Sequence, residues 1–129
     1  MALSIEDSHA IAQLLHRYCH NADYNPPEAM RAIFTADAVF EIGAMNVRCE
    51  GLEAILAFFT NTRGAMPPSQ HVINNLVIEG DGDAAQSCSY LQLVSTIEGA
   101  PRITMTGRYM DTLRRTADGW RLAQRLVTN

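Results

Sequence analysis

The sequence predicts an α+β fold: three N-terminal helices packed on a strongly curved, mostly antiparallel sheet that encloses a pocket. Two observations predict it. Helical periodicity is confined to the first half, and long strand-like segments separated by turn signals occupy everything after Ser69. Helices followed by an antiparallel meander belong on one face of the sheet, and a twisted sheet wrapped on helices leaves an open-mouthed hollow suited to a ligand. The 129 residues fit a single domain, 1–129.

Each element has its own signal. Ser4 and Asp7 resemble a capping box, and Ile11, Leu14, Leu15, Tyr18 and Ala22 then form one apolar stripe. Asn25-Pro26-Pro27 ends this helix, because residues before proline avoid the α region. Pro27 opens a second, short helix carrying Met30, Ile33 and Phe34. Ala38–Ile42 and Asn46–Glu50 read as short strands. A third helix starts near Gly51, shows Leu52, Ile55, Phe58 and Phe59 on one side, and ends at Gly64 and Pro67-Pro68. Four strands follow: Gln70–Glu79, Ala84–Glu98, Arg102–Arg115 and Trp120–Val127. They are joined at Gly80-Asp81-Gly82-Asp83, Gly99-Ala100-Pro101 and Ala117-Asp118-Gly119.

Composition removes several functions. Ten cationic residues against fourteen acidic ones give a net charge of −4. No basic stripe is present, which argues against nucleic acid as a partner. Every cation is arginine, so Schiff-base chemistry and a P-loop lysine are excluded. No run approaches the roughly 18 apolar residues a membrane helix needs, and the acidic start lacks the basic flank of a signal peptide. Cys19, Cys49 and Cys88 are odd in number and widely spaced, as free thiols in a reducing compartment would be. A cytoplasmic location is the expectation.

The candidates for chemistry are few. His9, His16 and His20 share a helical stripe, but no acidic or thiol partner on that helix completes a zinc site; no metal or cofactor is expected. His71 opens a long strand and, by alternation, shares a face with Ile73, Asn75 and Val77. It is either a satisfied core histidine or a base facing a cavity. Asp23, just past the first helix, faces an unfavourable dipole there and would be better tolerated beside a cation. If the two meet, Asp23 orients the His71 ring and stabilises its charged form. Tyr18 lies on the buried stripe, where its hydroxyl is either structural or aimed at a substrate oxygen. Asp111 sits within a strand, where aspartate is disfavoured, and needs compensation from Arg108 or Arg125. Parity puts Glu41 opposite Phe40 and Ile42, facing solvent.

Several strings occur together and in order: Leu14-Leu15-His16-Arg17-Tyr18, Ile33-Phe34-Thr35-Ala36-Asp37-Ala38-Val39-Phe40, Gly51-Leu52-Glu53-Ala54-Ile55 with Phe58-Phe59, Gln70-His71-Val72, Gly107-Arg108-Tyr109-Met110-Asp111 and Asp118-Gly119-Trp120-Arg121. Over nearly its whole length the chain resembles the SnoaL-like branch of the nuclear transport factor 2-like superfamily, and the resemblance implies that superfamily's cone-shaped fold. Scytalone dehydratase and the hexachlorocyclohexane dehydrochlorinase use an Asp–His pair that maps onto Asp23 and His71. The dehydratase's further histidine has no counterpart in Leu91–Thr96, and the dehydrochlorinase's lysine is replaced by Tyr18. Ketosteroid isomerase pairs a tyrosine with a protonated aspartate, which map onto Tyr18 and Asp111, while its base falls at Ile42. The resemblance implies a cofactor-free lyase or isomerase acting on a small, largely apolar carbonyl or hydroxyl compound. In that reading His71, Asp23 and Tyr18 are catalytic, and Asp111, Phe40, Ile42, Phe58 and Asn75 line the substrate. The competing expectation is a non-catalytic ligand-binding or assembly domain. The resemblance implies dimers or larger oligomers through the outer sheet face, and residues Tyr90, Leu91, Leu93, Val94 and Ile97 are apolar on both parities. A homodimer or higher homo-oligomer is expected, the homodimer being the simplest cover.

Overall fold

A computed structural model describes residues 1–129. The chain runs α1 (Ile5–Asp23), a 3-10 helix (Pro27–Ala32), β1 (Phe34–Ile42), a second 3-10 turn (Gly43–Met45), β2 (Val47–Glu50), α2 (Leu52–Arg63), β3 (Ser69–Asp81), β4 (Ala84–Ile97), β5 (Ala100–Thr116) and β6 (Gly119–Thr128). The six strands form one sheet in the order β2-β1-β6-β5-β4-β3. All neighbours are antiparallel except β1 and β6. The helices pack on the concave side of this curved sheet.

Local chemistry accounts for the boundaries. At the N-terminus of α1 the Asp7 backbone N–H donates to Ser4 Oγ, and the Ser4 N–H donates to Asp7 Oδ2, closing a reciprocal capping box. The second helical segment is shorter than its sequence suggests. Ile33 and Phe34 lie outside it, because the Ile33 carbonyl accepts from the Leu122 N–H at 2.8 Å and draws the chain into strand pairing at Phe34. The hairpin between β3 and β4 turns on Gly82, whose φ of +64° suits glycine. At Gly107 a side chain would run into the Thr128 carbonyl, so glycine lets β5 and β6 approach closely there.

Twenty-two buried residues make one hydrophobic cluster. Ile11, Leu14, Leu15 and Tyr18 come from α1, Ile55, Leu56 and Phe59 from α2, and Phe34, Phe40, Leu91, Leu113 and Leu122 from the sheet. Strand alternation holds in β4, where Ala85, Ser87, Ser89, Leu91, Leu93 and Ser95 are buried and the residues between them turn outward. It fails in β3. The register shifts between Asn74 and Val77, and Asn75 takes a left-handed backbone with φ of +57°. His71 and Ile73 therefore face inward before the bulge, and Leu76 and Ile78 after it. Asn75 and Val77 are exposed, so the expected common face with His71 ends at Ile73.

Asp7 joins the two ends of the fold. Besides capping α1 it accepts from the Trp120 indole N–H at 3.2 Å and pairs with Arg115 at 2.8 Å. The Arg115 guanidinium beside it holds its carboxyl well below the usual carboxylate range. A carboxylate lowered in the folded state adds stability that is complete above its unfolded pKa, near 4, and fades as pH falls through the folded one. Chemical denaturation of Asp7→Asn across pH should show a constant deficit against the parent from about pH 5 to 8. The deficit should shrink below about pH 4.

Candidate active site

The polar end of the concave face is built where α1 stops and β3 starts. Asp23 is the last residue of α1, and the two carboxylate oxygens that the helix dipole disfavours each find a donor on His71. Oδ2 accepts from the His71 backbone N–H at 2.9 Å, and Oδ1 lies 2.6 Å from ring Nδ1. A carboxylate can only accept here, so Nδ1 carries a proton, and in the neutral ring it is Nε2 that has the lone pair. The Asp23 side chain is 5% exposed and that of His71 22%. The carboxylate is shielded while the imidazole still reaches the open space beside it.

That space is a cavity of about 290 Å³. Tyr18, Phe40, Ile42, Phe58, Asp23 and His71 all line it, with Leu91, Leu93, Met105 and Tyr109 from the long strands. Arg63, Met66 and Pro67 complete the wall from the end of α2 onward. Tyr18 occupies its floor. The ring meets Phe34, Phe59, His71 and Tyr109 edge-on, with centroids 5.8–6.3 Å apart. Burial pushes the Tyr18 hydroxyl up to about 12 and raises that of Tyr109 well above its usual value. At neutral pH both phenols keep their protons and are available as hydrogen-bond donors.

Asp111 and Asn75 lie outside this cavity, correcting the expectation that they line the substrate. Asn75 is carried to the surface by the β3 bulge. Asp111 points inward, but its two oxygens accept from Arg125 Nε and Nη2, each at 2.8 Å. Both side chains are fully buried. The Arg125 guanidinium carbon sits 4.2 Å from the Tyr18 ring centre and 3.6 Å from that of Tyr109, so the two rings lie between the ion pair and the cavity. With both oxygens committed to a guanidinium, Asp111 offers no O–H to a ligand, unlike the aspartate of ketosteroid isomerase. Of the two partners the sequence allowed for it, Arg125 is the one it has.

Most of the remaining lining residues were not singled out by the sequence, and two of them carry polar groups of consequence, Tyr109 and Arg63. Tyr109 lies two positions before Asp111 on the same strand face, a parity that could have revealed it. Arg63 gave no signal, being a polar residue at a helix end. Its guanidinium donates to the main-chain carbonyls of Asn21, Ala22 and Asn25, which ties the end of α2 to the turn that carries Asp23. His9, His16 and His20 are exposed on α1, away from the cavity. Glu41 pairs with Arg48 at 2.6 Å on the other side of β1.

Removing one partner of a buried pair strands the other charge in a dry interior, at about 3–5 kcal/mol. Arg125→Met alone should lower unfolding stability by that amount in urea titrations. The double variant Asp111→Leu, Arg125→Met should recover most of it.

Residues 3–126 match the family model of the SnoaL-like domain. An uncharacterised protein of Mycobacterium tuberculosis is 28% identical over 126 residues, spanning 96% of this chain and 86% of the relative. A structure from Novosphingobium aromaticivorans, provisionally called an aromatic ring hydroxylase, is 30% identical with a TM-score of 0.86, over 98% of this chain and 90% of that one. Another from the same organism, provisionally called a scytalone dehydratase, shares the fold at 21% identity with a TM-score of 0.81, covering 97% and 85%. No helix is long and apolar enough to cross a membrane. The polar pair at the mouth, the aromatic floor and the match over nearly all residues converge: the chain belongs to the SnoaL-like family and has the nuclear transport factor 2-like fold.

Proposed function

We propose that this protein is a cofactor-independent lyase or isomerase, dehydratase- or cyclase-like, acting on a small apolar or aromatic carbonyl or hydroxyl compound. The observation that carries the reading is the 2.6 Å contact between Asp23 and His71 on the wall of an otherwise apolar cavity. With Nδ1 held by Asp23, the Nε2 lone pair of His71 removes a proton next to an electron-withdrawing group, and Asp23 stabilises the imidazolium that forms. Tyr18 donates its hydroxyl proton in a hydrogen bond to the oxygen on which charge develops. An elimination closes when the imidazolium returns its proton to the leaving hydroxyl, and an isomerisation when it returns it to another carbon. The Phe40, Phe58 and Phe59 rings suit a flat, apolar substrate. The Novosphingobium relative provisionally called an aromatic ring hydroxylase is consistent with an aromatic substrate.

A ligand-binding or assembly domain of the same fold is the competing reading. Replacing the base separates them, since a positioned general base contributes about 10²–10⁴ in rate. With a substrate identified from a panel of aromatic hydroxy and keto compounds, His71→Ala should lower kcat by that factor while leaving ligand affinity within a few fold. Asp23→Asn should lower kcat as well. Unchanged turnover in His71→Ala would sink the enzyme reading and leave the binding one.

We also propose a homodimer through the outer sheet face. Val72 and Val77 on β3, Tyr90 on β4 and Ile103 on β5 are exposed on that face, whereas Leu91 and Leu93 point inward. Sedimentation at micromolar concentration should give twice the 14.2 kDa chain mass. Tyr90→Arg should shift it toward the monomer, and a parent that sediments as a monomer would refute the interface.

A further inference from the structure

The cavity has one cation that no carboxylate neutralises. Arg63 lies on its wall, half-buried, and its hydrogen bonds all go to main-chain carbonyls: Nη2 to Asn21 and Ala22 at 2.7 and 2.9 Å, and Nη1 to Asn25. Carbonyl partners orient a guanidinium without discharging it. They also occupy only three of its five N–H groups, leaving Nε–H and one Nη1–H unassigned. The nearest acidic side chain on the wall, Asp23, already has both oxygens engaged by His71. The other polar groups in the lining, Thr62, Ser69, Tyr18 and Tyr109, are uncharged hydroxyls. The remaining lining is aliphatic, aromatic or methionine.

We infer that the cavity selects an apolar or aromatic compound bearing one anionic group, a carboxylate or an ionised enol or phenol, which Arg63 receives while the rings of the floor hold the rest. This deepens the reading of the site given above and names its substrate class. Placed against Arg63, the anionic group anchors the molecule at the side of the cavity where α1 and α2 end, the side on which His71 stands. A planar guanidinium is the donor best matched to a carboxylate, and bonds of this kind between charged groups outweigh neutral ones.

The test is binding, read by isothermal titration calorimetry with 2-naphthoate and its uncharged isostere 2-naphthamide. The parent should bind the acid about tenfold or more tightly than the amide, and the preference should weaken as salt is raised from low to high. Arg63→Met should bring the two ligands to equal affinity, and Arg63→Lys should keep part of the preference. Three results would overturn the inference: equal affinities in the parent, a preference that survives Arg63→Met, and no detectable binding of naphthoate at millimolar concentration. The parent measurements stand even if Arg63→Met fails to fold. His71→Ala should keep the preference, so a loss of selectivity at Arg63 and a loss of turnover at His71 report on separate claims.

Discussion

A single buried charge organises the centre of the molecule. Arg125 lies on β6, an inner strand of the sheet, with no exposed surface, and such a cation persists only where its surroundings satisfy it. Asp111 on the neighbouring strand supplies the counter-charge through two parallel bonds, and the faces of Tyr18 and Tyr109 add cation–π attraction, while Nη1 has no hydrogen-bond partner. Tyr18 belongs to α1, so the same cluster that satisfies the arginine seats the first helix on the sheet. What would otherwise be a polar intrusion becomes the underlayer of an aromatic floor.

The cavity inherits a division of labour from this arrangement. Its floor is dry, aromatic and lined by phenols that burial keeps protonated. Its polar side carries an imidazole whose tautomer is set by a carboxylate 48 residues away in sequence. Donors to oxygen and an acceptor of protons thus occupy different walls, facing a common space. A hollow with this polarity suits reactions in which a proton leaves carbon while negative charge gathers on oxygen.

Much of the scaffold could be read from residue order. The α1 stripe, the Ser4–Asp7 cap and the glycine-marked hairpins are local signals, and local signals survive into the folded state because tertiary packing agrees with them. Asp111 was legible as a residue in need of an arginine, since a carboxylate within a strand has few other ways to be satisfied. The meeting of Asp23 and His71 was suggested by an aspartate at the wrong end of a helix dipole and by a family resemblance, not by spacing. The errors share a cause. Strict alternation puts Asn75 inward, analogy puts Asp111 in the cavity, and periodicity puts Ile33 and Phe34 in a helix. Each was moved by a partner distant in sequence: a register shift against β4, the guanidinium on β6 and the Leu122 N–H. Arg63 left no trace because its role depends on three carbonyls at the far end of another helix.

The irregularity at Asn74–Val77 has a corollary for how β3 tolerates change in length. Its two halves obey opposite phases, one carrying His71 and Ile73 and the other Leu76 and Ile78, and both phases point to the same side only because of the extra residue between them. Losing that residue would leave the imidazole where it is and turn the distal half over, delivering two aliphatic side chains to water. Indels in β3 should therefore be excluded from this segment even though Asn74, Asn75 and Val77 are exposed, and at Asn75 the left-handed backbone should favour asparagine or glycine.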